Sequence, residues 1–239
     1  MIFTTPLRRG LAGLLATLTL LTPGCGDDTG TVAMVPSSLT GVTEPVDDAL
    51  GTETAWVIAG SSRLVRQLAD GARADVLITA DAETMRDAVA RGLVEGEPVV
   101  IAGNRLVVAL APGNPGRLDD LADLEDPTLL LGVCAAEVPC GRLAAEAETA
   151  LSIDVAVDTE EPNVRALALK IETGELDAGL VYATDAADLG LETLRAAELD
   201  PFVTEYLAVA VHGSAHEIVD FLRSPAGRRL LSDDGFIVS

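Results

Sequence analysis

The chain has 239 residues and carries 38 Asp and Glu against 16 Lys and Arg, a formal net charge of -22. Such a negative surface repels phosphate backbones, and with only 3% aromatic residues there are few rings on which bases could stack, so we expect no nucleic-acid partner. The length and the 49% apolar composition are sufficient for two compact lobes, each with its own core.

The N-terminus has the pattern of an export signal. Arg8 and Arg9 precede an apolar-rich run over residues 11–21, which is too short to span a bilayer as a helix. Cys25 follows a small residue, and this context resembles a bacterial lipoprotein box. We therefore predict that residues 1–24 are removed, that Cys25 carries a lipid, and that residues 25–30 form a tether to the membrane. Secretion without a lipid is the alternative.

From residue 31 onward, apolar runs of strand length alternate with helical patterns, which predicts parallel-rich α/β sheets. The predicted strands cover residues 31–35, 55–59, 76–79, 106–110, 129–133, 154–157, 178–181 and 206–211. Helix-start signals stand at Ser61, Asp81, Asn163 and Thr184. The last two helices are predicted over residues 216–223 and 225–233.

A change of lobe is predicted where a loop near Gly103 and Asn104 precedes one strand, and again near Glu205. This gives a first lobe of residues 31–104 plus 205–239 and a second lobe of residues 105–204. Each lobe is expected to hold a mostly parallel sheet. Because the chain crosses between the lobes twice, the crossing is expected to act as a hinge that lets the lobes close over a ligand.

Two cysteines, Cys134 and Cys140, remain once Cys25 is committed to lipid. In an oxidising compartment they can form a small disulfide, although spacing alone does not bring their Cα atoms into range. Two buried free thiols are the alternative. A structural zinc site is not favoured, because it needs four ligands and only His212 and His216 could join the cysteines.

Four predicted turns between strands and helices present polar residues and backbone N–H groups. In open α/β sheets ligands gather beyond the carboxyl ends of the strands, where helix N-termini favour anions. Ordinary helix capping is the alternative for each turn taken alone. The turns lie at residues 35–40, 59–62, 138–141 and 161–165.

The order and spacing of these turns resemble the molybdate-binding proteins of ABC importers. The most recognisable stretch is residues 60–81, from the serine-rich turn to the aspartate after the next strand. Residues 102–108, 164–169 and 179–185 are similar to later signatures of the family. The resemblance covers nearly the whole mature chain and implies the two-lobed fold of periplasmic binding proteins.

The resemblance also implies the ligand and its site. Ser38 and Ser61 would contribute hydroxyls and backbone amides, Tyr182 its phenol, and Cys140 and Val164 their backbone N–H groups. A single molybdate or tungstate ion would then be held by neutral donors, without a cofactor and without direct ligands to a metal cation. Neutral N–H and O–H dipoles can replace the hydration shell of a dianion. No positively charged side chain, which would also attract other anions, is then needed.

The sequence departs from the family pattern at three positions in or beside the predicted site. Pro36 and Ser37 stand where small apolar residues are usual, and Cys140 stands where a small residue is usual. A disulfide from Cys134 to Cys140 would brace the loop that supplies the Cys140 amide. The expected partner is the permease of an ABC transporter, and we expect a monomer at the outer face of the cytoplasmic membrane or in the periplasm.

Other functions remain open on the sequence alone. Sulfate, phosphate or a small organic anion could be the ligand, and a charged group in the cleft would favour such a reading. A domain that senses an anion without an importer is a further alternative. An enzyme is not favoured, because the chain has no G-x-S-x-G elbow, no H-E-x-x-H motif and no P-loop.

Overall fold

The computed structural model describes residues 1–2, 30–213 and 216–238. Most of the predicted signal peptide, Cys25 and nearly all of the tether lie outside these residues. Within the described part of the chain, no helix is both long enough and apolar enough to cross a membrane.

Strands and helices alternate along most of the described chain. The strands are β1 Val32–Pro36, β2 Ala55–Ala59, β3 Val76–Thr79, β4 Val99–Leu110, β5 Leu131–Cys134, β6 Val157–Glu161, β7 Ala178–Tyr182, β8 Glu192–Thr193 and β9 Val203–Ala210. The α-helices are α1 Thr43–Leu50, α2 Ser61–Ala69, α3 Ala82–Ala90, α4 Pro139–Leu151, α5 Val164–Glu172, α6 Ala183–Asp188, α7 Glu217–Arg223 and α8 Pro225–Asp233. Short 3-10 helices cover Ser37–Val42, Leu121–Glu125 and Ala197–Leu199.

The strands form one continuous sheet in the order β2-β1-β3-β9-β4-β7-β5-β6, with β8 added to β4. β1 pairs in parallel with β2 and β3, and β5 pairs in parallel with β6 and β7. β9 and β4 lie between these two parallel groups and pair antiparallel with each other and with their neighbours β3 and β7. The predicted α/β class is confirmed, and the antiparallel pair joins its two parallel groups.

Three of the four predicted helix-start signals lie at a helix start, whereas Thr184 is the second residue of α6, whose N-cap is Tyr182. Asp81 and Asn163 are N-caps whose side chains accept hydrogen bonds from the amides of Thr84 and Ala166. Ser61 is the first residue of α2, after the N-cap Gly60. α2, α4 and α5 therefore start after the carboxyl ends of β2, β5 and β6, where three of the candidate turns were predicted.

The predicted loop at Gly103 and Asn104 is wrong, because both residues lie inside the 12-residue strand β4. A Cβ atom on Gly103 would lie 3.1 Å from Val203 Cγ1 and 3.3 Å from the Thr204 carbonyl oxygen. The glycine therefore reflects close packing against β9 rather than a turn. β9 likewise begins at Val203, earlier than the predicted residue 206.

The sixth strand also differs from its prediction, since β6 covers Val157–Glu161 instead of residues 154–157. It lies at the edge of the sheet and pairs only with β5. An edge strand can carry polar side chains on its exposed face, so Asp158, Thr159 and Glu160 lack the apolar run that predicts a buried strand. The last two helices, α7 and α8, lie where they were predicted.

β4 changes its partner partway along its length. Its residues up to Arg105 pair with β9, and Leu106 to Leu110 pair with β7. The predicted lobe boundaries, at residues 104 and 205, fall where this change occurs. The division into lobes itself stays a prediction.

Candidate functional site

One cleft is lined by residues from both parallel groups of strands. The turn after β1 and the start of α2 line it from one group, and the starts of α4 and α5 with the end of β7 line it from the other. All five predicted site residues, Ser38, Ser61, Cys140, Val164 and Tyr182, are among the lining residues. The other lining residues are Pro36, Ser37, Gly60, Ala80, Val138, Pro139 and Asn163. That the five bind an anion stays a prediction.

Three helices of nine or more residues begin at this cleft: α2, α4 and α5. Ser61, Cys140 and Val164 belong to their first turns, where backbone N–H groups have no acceptor within the helix. These amides also carry the partial positive charge of the helix dipole. Their convergence makes the cleft a suitable environment for an anion.

Ser61 is almost fully buried, and its Oγ accepts a hydrogen bond of 3.0 Å from the Ala80 amide. A hydroxyl that accepts one bond keeps its single proton for another partner. Ser61 is therefore set to donate toward the cleft.

Ser38 lies in the 3-10 helix that follows Pro36, the last residue of β1. Its Oγ is 2.6 Å from the hydroxyl of Tyr206 on β9. Although Pro36 and Ser37 differ from the residues usual in the family, Ser38 is buried and lines the cleft.

The phenol of Tyr182 is the least satisfied polar group at the cleft. The side chain is 1% exposed, and its hydroxyl makes no hydrogen bond of good geometry to the residues that the structure describes, although the Thr204 hydroxyl lies near enough to oppose the rise in its pKa. Burial raises the pKa of this phenol well above its usual value, so the group keeps its proton as a donor. Because an unpaired buried hydroxyl costs about 1–3 kcal/mol, the position favours a ligand that accepts a hydrogen bond.

No Asp, Glu, Lys or Arg is among the described residues that line the cleft. The amide oxygen of Asn163 is occupied by the Ala166 N–H, at 2.9 Å. Arg165 pairs with Asp188 at 3.1 Å and does not line the cleft. The described lining residues are therefore uncharged, and their role as neutral donors to an anion stays a prediction.

Cys134 and Cys140 are bonded to each other in the structure, with their Cα atoms 5.7 Å apart. The bond connects the end of β5 to the first turn of α4, and so ties the Cys140 amide to the sheet. Whether the bridge is present in exported protein stays a prediction.

Several contacts cross the cleft between its two sides. Arg142 on α4 donates to Asp81 Oδ2 from Nε at 2.8 Å and from Nη2 at 2.6 Å, and also donates to Thr84 Oγ1 at 2.7 Å. Ser62 Oγ donates to the Glu137 carbonyl oxygen at 2.8 Å. The structure thus has the two sides of the cleft in contact with each other.

Sequence reasoning missed this arginine and a second group, a buried polar cluster behind the cleft. Hydrogen bonds join Asn104 to Thr184 and Tyr206, which in turn bonds to Ser38. The buried carboxyl of Asp185 acts on Tyr206 electrostatically. Thr184 and Asp185 stood inside a stretch that carried the family resemblance, but nothing in the pattern showed that they would meet β4 and β9. Only the pairing of these strands brings the cluster together.

The chain belongs to the family of bacterial extracellular solute-binding proteins, whose model matches residues 50–237. Among curated relatives, the molybdate-binding protein ModA of Mycobacterium tuberculosis is 37% identical over 193 residues, which cover 78% of this chain and 74% of the relative. Among solved structures, the periplasmic molybdate-binding protein of Azotobacter vinelandii matches with a TM-score of 0.74 at 15% identity, over 87% of this chain and 99% of the other.

A sulfate-binding protein has the same fold. SubI of Mycobacterium tuberculosis matches with a TM-score of 0.68 at 16% identity, over 87% of this chain and 86% of SubI. At such low identity the structural matches establish the fold alone. The choice of anion therefore has to be argued from the cleft and from the more similar relatives.

The buried carboxyl of Asp185 gives a pH dependence that can be measured. It is 1% exposed, and burial raises its pKa to about 7; Arg165 opposes this shift, whereas Asp188 and Asp234 add to it. A raised pKa means that the folded state keeps a proton that the unfolded chain releases near pH 4, so the contribution of Asp185 to the free energy of unfolding falls as pH rises from about 4 to 7. Asp185→Asn should flatten this slope and stabilise the protein at pH 8 by a few kcal/mol, on the order of the linkage for such a shift.

Urea denaturation at several pH values measures this effect. Some slope should remain in Asp185→Asn, because burial also raises the pKa of Asp234 to about 6. Asp87→Asn, at an exposed side chain of α3, is the matched control and should leave the slope unchanged. An Asp185→Asn slope equal to that of wild type would contradict the prediction.

Proposed function

We propose that this chain captures molybdate or tungstate outside the cytoplasm and delivers it to an ABC importer. The observation that supports this most strongly is the donor set, in which an unpaired buried phenol and three helix N-termini meet in a cleft without charged lining residues. The 37% identity to a mycobacterial molybdate-binding protein supports the same ligand.

The neutral lining favours a fully deprotonated dianion. A protonated oxyanion such as hydrogen phosphate needs an acceptor for its own proton, and no carboxylate is among the described lining residues. Sulfate is also unprotonated near neutral pH, so its rejection has to come from the size of the closed cleft. The donor set therefore selects against protonated oxyanions. The size of the closed cleft selects among unprotonated ones.

Closure of the cleft is the second part of the proposal. Residues 31–104 plus 205–239 would move as one lobe and residues 105–204 as the other, about the crossing strands β4 and β9. Bonds from Arg142 to Asp81 and from Ser62 to Glu137 would then hold the closed state. These bonds join opposite sides of the cleft and would break when it opens.

The remaining proposals concern the location of the protein. A lipid on Cys25 and a tether over residues 25–30 would keep the protein at the outer face of the membrane, near its permease. The family of extracellular solute-binding proteins supports an extracytoplasmic location. We propose that the chain acts as a monomer that binds one anion.

Titration with a panel of oxyanions tests the ligand. At about 100 times the dissociation constant, linkage predicts about 2.7 kcal/mol of added stability, roughly 5 to 10 °C in Tm for a chain of this size. Molybdate and tungstate should give this rise, and sulfate and phosphate much less at the same concentration. Ser61→Ala and Tyr182→Phe should each weaken molybdate binding by about 1–3 kcal/mol, because each removes a hydrogen bond to a charged ligand.

Ser232→Ala, on the exposed side of α8, is the matched control for the serine and should bind molybdate as wild type does. An unchanged Tm in molybdate would disprove the proposed ligand. An equal rise in sulfate would disprove selection by size.

Gly60→Ala tests whether binding needs the closed geometry. A Cβ atom at residue 60 would lie 2.7 Å from the Pro162 carbonyl oxygen on the opposite side of the cleft. The backbone angles of Gly60, φ -64° and ψ 139°, suit alanine, so the fold around α2 should be kept. We expect the dissociation constant for molybdate to rise about 5- to 150-fold, the range given by overpacking costs of about 1–3 kcal/mol.

Isothermal titration of Gly60→Ala measures this change. Gly30→Ala is the matched control, since a Cβ atom there meets nothing within 4 Å. Wild-type affinity in Gly60→Ala would show that the anion does not need the two sides to approach as closely as in this structure.

A further inference from the structure

Four buried side chains form a hydrogen-bonded cluster directly behind the cleft. Asn104 belongs to β4 and Tyr206 to β9, the two strands that cross between the parallel groups. Thr184 lies in α6, and Ser38 follows β1. Their exposures are 1%, 0%, 3% and 7% in that order, so their hydrogen bonds are shielded from water. Only Ser38 among them lines the cleft.

The orientation of the Asn104 amide follows from its neighbours. Its Oδ1 accepts from the Arg105 backbone N–H at 3.0 Å, which identifies the other end of the amide as Nδ2. Nδ2 donates to Thr184 Oγ1 at 2.8 Å and to the Tyr206 hydroxyl at 3.3 Å. Both protons of Nδ2 therefore have acceptors.

The direction of the next bond follows from this orientation. The Tyr206 oxygen accepts from Asn104, and its other partner among the described residues is Ser38 Oγ, at 2.6 Å. A buried phenol proton needs an acceptor, and Ser38 Oγ is the one that the described residues provide, so the proton of Tyr206 points to Ser38. Ser38 Oγ then accepts this bond, and its own proton is left to point into the cleft.

We propose that Asn104 and Tyr206 are positioning residues that make Ser38 a dedicated donor to the bound anion. This inference rests on the proposed function. The relay runs from Asn104 through Tyr206 to Ser38 and resembles the direct bond by which the Ala80 amide orients Ser61. In both cases the serine oxygen accepts a hydrogen bond from the protein, and the serine proton is left for the anion.

The chain allows the relay to be separated from packing. The Tyr206 ring makes edge contacts with Tyr182 and Phe236, at centroid distances of 6.3 and 5.2 Å. Tyr206→Phe keeps this ring and removes only the hydroxyl. Ser38→Ala removes the group on which the relay acts, and the double variant shows whether the two effects depend on each other.

The experiment is isothermal titration of molybdate into wild type, Tyr206→Phe, Ser38→Ala and the double variant. We expect Tyr206→Phe alone to raise the dissociation constant about 5- to 10-fold, since an oriented hydrogen bond to the anion is weakened. In the Ser38→Ala background the same change should have an effect of less than about 2-fold, because the relay no longer reaches a donor.

If Tyr206→Phe fails to fold, Asn104→Leu can replace it in a second double-mutant cycle with Ser38→Ala. Asn104→Leu should weaken molybdate binding alone and have little further effect in the Ser38→Ala background. Trp56→Phe is a control for loss of a hydrogen bond elsewhere, from Trp56 Nε1 to Asp47, and should leave molybdate binding unchanged. Effects of Tyr206→Phe and Ser38→Ala that multiply, or a Tyr206→Phe affinity equal to wild type, would overturn the relay while leaving the proposed ligand intact. A wild type that does not bind molybdate at all would overturn the proposed function, and the relay with it.

Discussion

Buried donors without acceptors are the constraint on which the rest of this structure depends. The Tyr182 phenol and the first amides of α2, α4 and α5 meet at one cleft, and the described residues that line it supply no charge to satisfy them. Leaving such groups unpaired costs free energy, and an oxyanion that accepts from all of them recovers it. A cleft of this kind needs no cation, because its oriented donors bind the dianion and the size of the closed cleft selects among dianions.

The directions of these donors are set by groups that do not touch the ligand. The Ala80 amide orients Ser61, and we infer that Tyr206 orients Ser38. Tyr206 and Asn104 lie on β9 and β4, the strands that join the two sides of the cleft. The same pair of strands therefore holds the two sides together and supports a donor of the site.

Much of the site could be predicted from the sequence because it is built from local features. Each strand-to-helix turn carries its own signal, and the ends of parallel strands place such turns together, so the turns that line the cleft could be predicted without the fold. The choice of Ser61 and Val164 within those turns came from the family resemblance. Asn104 could not be interpreted in this way. Its neighbour Gly103 looks like a turn, whereas the structure uses it for close contact with β9. Arg142 and Tyr206 act through partners more than 60 residues away in the sequence, which no local pattern reveals.

A crystal structure of the molybdate complex tests the central claim most directly. The account predicts one anion in the cleft, with its oxygens within hydrogen-bonding distance of the Ser38, Ser61 and Tyr182 hydroxyls and of the Cys140 and Val164 amides. It also predicts that no Lys or Arg side chain contacts the anion. An anion bound elsewhere, or one held in this cleft by a charged side chain, would contradict the claim that neutral, oriented donors capture the ligand.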